Sequence, residues 1–465
     1  MPHSDQILTA QQVRDAEQLL IEAGETVGSL MQTAGRGAAE WVWRLAARHR
    51  VTVLCGPGNN GGDGYVIAET LRERGGNVAV VVGGEPSTAA CREARARYQG
   101  PVLDVAEAPH GEVLVDCLFG TGLTRPLSPQ HAGALADLAA LHPRRIAVDL
   151  PSGVQADSGM VLNDGLPAYD LTLALGAWKF AHFLMPAAAR MGRLQRVGIG
   201  LAAVTGAATA IGRPVARAPA ADAHKYKRGL LAVVSGAMPG AAVLASVGAQ
   251  GAGAGYVKLF AESKRSVPMD VVVEQGPLTE VLTDDRNAAI LVGPGLGRDA
   301  SARERLAIAL ADPVPVVLDA DALVLLGSRQ LAERQAATIA TPHEGEFVAL
   351  ERAFGLDGVG TRPERARALA LASGMIVVAK GPDTLVADPE GRLACASRAS
   401  SWLSTSGTGD VLAGIIASRV ASGVDAFEAA CQGVWLHGEA ARLCPPAFTA
   451  GQLAQAVPAA LAACL

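Results

Sequence analysis

The stretch VTVLCGPGNNGGDGYVIAETLRERGGNVAVVV, Val51 to Val82, decides the fold class. Val51–Cys55 is a short β-branched run, which suits a strand. It ends in GPGNNGGDG, Gly56 to Gly64. A helix is expected over Tyr65–Arg74 and a second strand over Asn77–Val82. Strand, crossover helix and strand make a βαβ unit, which implies a parallel sheet. Upstream, Thr9–Ala47 reads as helical, with Thr9 as a cap and Val13, Ala16, Leu19 and Leu20 on one face. Downstream, strands are expected at Val113–Asp116, Arg145–Asp149 and Leu171–Leu175. They run into the turns DCLFGTG, DLPSG and LGAWK. Ligands of open α/β sheets bind beyond the carboxyl ends of strands, so these loops should converge on one cleft.

Beyond Ile211 the pattern changes. Gly212–Ala221 is rich in Ala, Pro and Arg and has no apolar period, as a linker would. The expected domains are residues 1–212 and 224–465, joined by 213–223. The second α/β series has a strand at Leu230–Ser235 and a small-residue helix at Ala241–Ala252. Further strands at Ala289–Val292, Val314–Ala320, Thr338–Thr341 and Met375–Ala379 run into GPGLG, DAD, PHEGE and KGPDT. A last large helix starts at SGTGD. No internal repeat or low-complexity tract stands out.

Composition narrows the function classes. Half of the 465 residues are hydrophobic and 18% are charged, which supports a large core and excludes disorder. A net charge of −5 argues against nucleic acid as the partner. Seven cysteines, odd in number and without a C-x-x-C pair, argue against a zinc site or a disulfide framework. Reduced thiols in a cytoplasm are the simple reading. MPHSDQ lacks the pattern of a signal peptide. The uncharged run Gly229–Val257 is long enough to span a bilayer, but Pro239, Ser235 and its Gly/Ala content read as a buried strand, a loop and a helix. No membrane partner is expected.

Two sets of residues carry chemistry. In the first half, Asn59, Asn60 and Asp63 lie in the glycine stretch, where main-chain amides can approach a ligand. The Asn carboxamides can orient that ligand or give an oxygen to a cation. The stretch lacks the P-loop lysine and the G-x-G-x-x-G spacing. Asp116 and Asp149 end neighbouring strands, which suits proton transfer and monovalent cation binding. The alternative is that each merely caps the next helix or turn. In the second half, SGTGDVLAG, Ser406 to Gly414, sets Gly407 and Gly409 around Thr408 at the start of an apolar helical run. Free amides at such a helix start bind anions, phosphate above all. Asp410, in the first turn, is placed to take a proton from a hydroxyl that attacks a phosphoryl group. The alternative is a Gly-rich loop with Asp410 as a cap. His343 could likewise only cap a helix, Lys380 could be a surface lysine, and Asp319 and Asp321 could only end a strand.

GPGNNGGDGYV, DCLFGTG and VDLPSGV, with LMQTAG at Leu30–Gly35, resemble the YjeF N-terminal family of NAD(P)HX epimerases over roughly the first 210 residues. The resemblance implies a Rossmann-like sheet with flanking helices and epimerisation at C6 of hydrated nicotinamide cofactor. It implies that Asn59, Asn60, Gly61, Gly62 and Asp63 hold the hydrate. Gly120, Thr121, Gly122, Leu123, Thr124, Arg125 and Pro126 would close over it. Asn60, Asp116 and Ser152 would hold K+. Asp149 would contact the hydrate and act as acid–base residue, and partial desolvation is expected to raise its pKa toward working pH.

Residues 224–465 resemble the ADP-dependent NAD(P)HX dehydratases of the ribokinase-like superfamily. The matching stretches are His224-Lys225, PGAAVLA, GPGLG, DADAL, TPHEGEF, KGPDTLV and SGTGDVLAG. The resemblance implies that Lys380, Gly381, Pro382, Asp383, Thr384 and Gly409 contact ADP or AMP. Ala241, Gly295, Gly297, His343 and Asp410 would face the hydrate, with Asp410 as base. Mg2+ is expected with the nucleotide. The sequence departs from the pattern at Val324, where Asn is usual, and at Glu344, where Pro is usual. SRASSWLST also lacks a Gly-Asn pair. The expectation is a bifunctional nicotinamide repair enzyme, a cytoplasmic homo-oligomer acting on R/S-NADHX or NADPHX and ADP. The alternative is a small-metabolite kinase with a regulatory first domain.

Overall fold

The computed structural model describes residues 5–107, 110–261 and 267–465. The chain divides into two compact units, Met1–Ala208 and Thr209–Leu465. Strands of the first unit are β1 (Gln6–Leu8), β2 (Val51–Cys55), β3 (Val78–Val82), β4 (Val102–Leu103), β5 (Val113–Cys117), β6 (Arg144–Val148), β7 (Leu171–Leu175), β8 (Trp178–Lys179) and β9 (Arg193–Val197). Seven of them form an all-parallel sheet in the order β4-β3-β2-β5-β6-β7-β9. The chain runs outward from β2 to β4 and then returns to β5. The strand order therefore reverses between β2 and β5, and ligands of open sheets bind beside such a reversal. β2 and β5 are buried along their whole length, as expected of central strands covered on both faces.

Two details differ from the sequence reading. Thr9–Ala47 holds two helices, Ala10–Glu22 and Val27–Ala46, capped by Thr9 and Thr26. Gly24, at φ +107°, breaks the run between them. The helix expected from Tyr65 begins at Asn59, so the NNGGD residues form its first turns and are not a loop. Tertiary packing overrides the poor helix propensity of glycine here. A Cβ on Gly61 would lie 1.8 Å from the Gly56 carbonyl oxygen, and one on Gly64 would lie 2.8 Å from Cys55 Sγ. The glycines let this helix start close against the ends of β2 and β5.

Strands of the second unit are β10 (Ala208–Ile211), β11 (Leu230–Val234), β12 (Tyr256–Phe260), β13 (Val272–Glu274), β14 (Asn287–Val292), β15 (Val316–Leu318), β16 (Thr338–Ala340), β17 (Ile376–Ala379), β18 (Leu385–Ala387) and β19 (Leu393–Ala396). They form one sheet in the order β13-β12-β11-β14-β15-β16-β17-β18-β19-β10. It is parallel from β13 to β17, and β18 is antiparallel to both neighbours. Thr209–Ile211, expected in the first domain, pair with Ala394–Ala396. The uncharged run Gly229–Val257 supplies β11, the helix Pro239–Gly251 and the start of β12. Among the described residues no helix is long and apolar enough to cross a membrane. The helices Pro239–Gly251 and Thr408–Ala421 approach so closely that a Cβ on Gly414 would lie 2.0 Å from the Ala245 carbonyl oxygen. This contact sets their N-terminal ends side by side: the Cβ of a residue at 407 would lie 2.9 Å from Leu244 Cδ1.

Candidate active sites

The first centre lies at the carboxyl ends of β2, β5 and β6. Asp149 follows β6 and is 7% exposed. Its φ of +67° is left-handed, a conformation that costs a non-glycine residue about 1–3 kcal/mol. The surroundings hold it there: its amide donates to the Leu173 carbonyl at 2.8 Å, and His182 Nε2 lies 2.9 Å from its carbonyl oxygen. One carboxylate oxygen accepts from the Thr121 amide at 2.9 Å and from the Thr121 hydroxyl. The other accepts from Lys179 Nζ, whose side chain is 1% exposed and also donates to the Leu175 carbonyl at 2.7 Å. Desolvation alone would push the Asp149 carboxyl up, but the Lys179 charge and the hydrogen bonds from Lys179 and Thr121 outweigh it. The net result lies below the usual carboxylate range. The expected upward shift is thus corrected: Asp149 is an ionised base locked to a lysine. Asp63, buried in the adjoining helix, moves the other way, raised by burial and by the charges of Asp149 and Glu17.

Asn60 stands at the same helix start, and neither polar atom of its buried carboxamide has a hydrogen-bond partner. Gly120 separates it from Asp149: a Cβ there would lie 2.8 Å from Asp149 Oδ2 and 3.2 Å from Asn60 Oδ1. Asp116 is fully buried. Its carboxylate accepts from Ser152 N (3.0 Å), Ser152 Oγ (2.7 Å), Leu118 N (3.1 Å) and Tyr169 Oη (2.5 Å). All of these partners are neutral. Burial raises the Asp116 carboxyl, with the hydrogen bonds from Tyr169 and Ser152 working against it. Ser152 Oγ also accepts from the Phe119 amide at 2.9 Å. Asn60, Asp116 and Ser152 therefore meet around Phe119–Gly120. Of the expected closing loop, Thr121 bonds Asp149 and Leu123 is half-buried, while Gly122, Thr124, Arg125 and Pro126 lie exposed at the rim. Asn59 accepts from Thr88 Oγ1 at 2.7 Å.

The second centre forms where β15, β16 and β17 end beside the helix Thr408–Ala421. Gly407, at φ +90°, turns the chain into that helix. Asp410, in its first turn, makes no hydrogen bond through its carboxylate among the described residues. Burial and then the charge of Asp319 raise its carboxyl to about 6, against the opposing pull of Lys380. Lys380 Nζ donates to Asp319 Oδ1 at 2.7 Å, and the Thr341 hydroxyl donates to the same oxygen at 2.7 Å. A Cβ on Gly409 would lie 3.3 Å from Lys380 Nζ, so the glycine keeps the lysine against the helix start. Gly295 and Gly297 lean on the segment before Pro239: Met238 N donates to Gly295 O at 2.9 Å, and Ala241 N donates to Met238 O at 3.3 Å. Asp321 receives Gly297 N at 3.0 Å and Arg298 Nε at 2.7 Å. Gly381–Thr384 form a tight turn closed by Thr384 Oγ1, which donates to Gly381 O at 2.8 Å. His343 caps the helix Glu344–Ala353, accepting from Gly345 N at 3.0 Å. No hydrogen bond joins its ring to Asp410, Lys380 or Asp319, and the cap engages only Nδ1.

Two family models match the chain. One, described as YjeF-related protein N-terminus, matches residues 27–181, and one described as NAD(P)H-hydrate dehydratase matches residues 231–462. The bifunctional NAD(P)H-hydrate repair enzyme of Gloeobacter violaceus is 34% identical over 93% of this chain and 92% of its own length. The chain belongs to the bifunctional NAD(P)H-hydrate repair enzymes. The relative of that name from Mycobacterium leprae is 33% identical over 93% of this chain and 92% of its own length. The chain is also similar to the ADP/ATP-dependent NAD(P)H-hydrate dehydratase of Bacillus subtilis, whose structure was solved with ATP and Mg2+. The identity is 27% and the TM-score 0.48, over 54% of this chain and 95% of that one. In this repair-enzyme chain the first unit is an α/β unit on an all-parallel sheet and the second an α/β unit on a mostly parallel sheet.

Lys179 and Glu17 had no role in the sequence reading, and Asp319 had only an open one. Lys179 stood only as the end of the LGAWK turn, and nothing in the sequence ties it to a carboxylate thirty residues earlier. Asp319 left open whether it merely ends a strand; its bonds to Lys380 and Thr341 place it in the centre. Glu17, on the helix Ala10–Glu22, is raised by burial and by the charge of Asp149, and its helical position concealed that.

Proposed function

We propose that the first unit interconverts the R and S hydrates of NADH and NADPH, and that the second dehydrates the S hydrate with ADP, giving AMP and phosphate. The observation that carries this reading is Asp410: an unpartnered carboxylate, poised near 6, in the first turn of a helix whose free amides face the same place as Lys380. A base of that pKa is ionised at neutral pH yet can still accept a proton in the transition state. Asp410 takes the proton of the C6 hydroxyl as its oxygen attacks the β-phosphoryl group of ADP. Lys380 and the helix amides hold the phosphoryl charge. Phosphate then leaves C6, and loss of a C5 proton restores the dihydropyridine. Magnesium, carried on the nucleotide, neutralises phosphoryl charge when bound. The two carboxylates Asp319 and Asp410 fit a phosphate group that brings a cation better than a bare one.

In the first unit, ionised Asp149 contacts the hydrate and moves the proton on and off the oxygen at C6, with Thr121 and Lys179 holding its carboxylate in place. K+ fits beside it. Asn60 offers a carboxamide oxygen without a partner, and Asp116 is a buried carboxyl with only neutral partners, raised by its burial. Asn60, Asp116 and Ser152 would hold the ion, which supplies a fixed positive charge near the substrate. Asn59 to Asp63 and the Gly120–Pro126 loop form the wall for the hydrate. Lys380–Thr384 and Gly409 receive the nucleotide, and Ala241, Gly295 and Gly297 face the nicotinamide. All seven cysteines are free, which fits a reducing cytoplasm. The small-residue helices fit close packing in a homo-oligomer.

Purified full-length protein mixed with S-NADHX, magnesium and ADP, then ATP, would be followed by absorbance of the reduced nicotinamide. The expected result is recovery of that band with release of phosphate. A stable phosphorylated product of some other alcohol, with no recovery, would replace this reading by a small-metabolite kinase.

A further inference from the structure

Arg362 occupies an unfavourable place. It is the first residue of the helix Arg362–Ser373, capped by Thr361, and a cation at a helix N-terminus opposes the helix dipole. Its contacts explain why it sits there. Nη2 donates to the Ala379 carbonyl at 3.2 Å and to the Lys380 carbonyl at 3.0 Å. Nε lies 3.5 Å from Asp383 Oδ1. Nη1 donates to Glu344, the first residue of the helix that His343 caps. A Cβ on Gly381 would lie 3.0 Å from Nη2, so Gly381 leaves room for the guanidinium. One planar cation thus ties the two carbonyls before Gly381, and the Asp383 carboxylate after it, to the helix start at Glu344. Arg365 backs it up, reaching Glu344 at 3.4 Å while it grips buried Glu351 at 2.8 and 2.6 Å.

We infer that Glu344 and Arg362 are a positioning pair that holds the Lys380–Thr384 turn in the shape that receives the adenine nucleotide. The inference rests on the reading of that turn as the ADP-binding segment. Glu344 is half-exposed, and a pair so placed has little worth as a stability device alone. Its geometric effect is larger, because the guanidinium fixes two successive carbonyls next to Lys380, which contacts the phosphoryl-transfer centre. A proline at position 344 could not anchor the guanidinium. In this chain the carboxylate gives the turn a support from outside.

The test uses the full chain with Arg362→Met, Arg362→Lys and Glu344→Ala. Kd for ADP is measured by calorimetry, and KM for ADP and for S-NADHX, with kcat, by nicotinamide absorbance. We expect Arg362→Met to raise Kd and KM for ADP about tenfold, and Glu344→Ala about threefold. KM for the hydrate and kcat should stay within about twofold. Arg362→Lys, which keeps the charge but loses the planar fork, should recover part of the effect. An unchanged Kd for ADP in both Glu344→Ala and Arg362→Met would overturn the pair, as would equal losses in kcat and in both KM values. If the parent protein binds ADP but does not dehydrate the hydrate, the functional reading fails while the Kd series still decides the pair. If it binds no ADP, the pair falls with it.

Discussion

Each unit sets an aspartate beside a lysine at the carboxyl ends of its strands, and the two pairs end in opposite states. In the first unit Lys179 bonds Asp149 directly, and the carboxyl is held below the usual range. In the second, Lys380 is drawn to Asp319, so Asp410 keeps no partner and is raised to about 6. Burial pushes both aspartates upward, so burial does not explain the difference. What differs is the destination of the lysine. A directly paired aspartate is always ionised and suits orienting a substrate and relaying a proton. An unpaired, raised aspartate suits a single deprotonation in step with phosphoryl transfer.

The strongest challenge to that contrast is removal of each aspartate in turn. Asp410→Asn is expected to lower dehydration by about 10²–10⁴-fold, the usual size of a general-base contribution, and to leave epimerisation alone. Asp149→Asn should do the converse. Epimerisation is followed by chromatographic separation of the R and S hydrates, and dehydration by nicotinamide absorbance. A loss of both activities in either variant would mean that the two centres are not independent.

Next in size is Lys179→Met, which leaves a buried carboxylate without its cation. Removing one partner of a buried pair costs about 3–5 kcal/mol. Without Lys179 the desolvation of Asp149 loses its main opponent, with Thr121 left to counter it, and its pKa rises. A base works only when deprotonated, so the acid limb of the epimerisation pH profile should move upward. Lys179→Arg should keep the limb low. Melting temperatures separate the two effects, because protonation of Asp149 at low pH relieves the unpaired charge and narrows the gap to the parent. A limb that stays in place in Lys179→Met would show that Thr121 and the surrounding dipoles, not the lysine, hold Asp149 ionised.

How far this contrast is readable from sequence follows from the range over which each contact acts. The parallel sheets, the strand ends and Asp410 in the first turn of its helix are local: β-branched runs, glycines and an adjacent acid announce them. The start of the helix at Asn59 was not legible, since five glycines in a row of nine argue for a loop. Only the packing of Gly61 and Gly64 against β2 and β5 makes that helix close. The lysines were harder still. Lys380 ends an apolar run and drew attention, but whether it turns to Asp410 or to Asp319 is a matter of a few ångströms set by Gly409 and Thr341. Lys179 and Arg362 act on residues far from them in the chain, and one sequence holds no sign of such pairings. His343 was legible in part: its place after Thr-Pro at a strand end suggested a cap, and its Nδ1 accepts from free amides of the next helix.

The smallest expected effect sharpens the comparison most. Asp319→Asn removes a negative charge beside Asp410 and frees Lys380 from its partner. Both changes favour the ionised form of Asp410, so its pKa should fall below about 6, and the acid limb of dehydration should move downward by the same amount. A shift of half a unit corresponds to about 0.7 kcal/mol and is resolvable in a pH profile. The height of the profile can also drop, because Lys380 is no longer fixed by Asp319 and Thr341. The position of the limb is the informative quantity, and it moves opposite to that of Lys179→Met. If the limb of Asp319→Asn stays near 6, burial alone sets Asp410, and the destination of Lys380 serves phosphate binding without tuning the base.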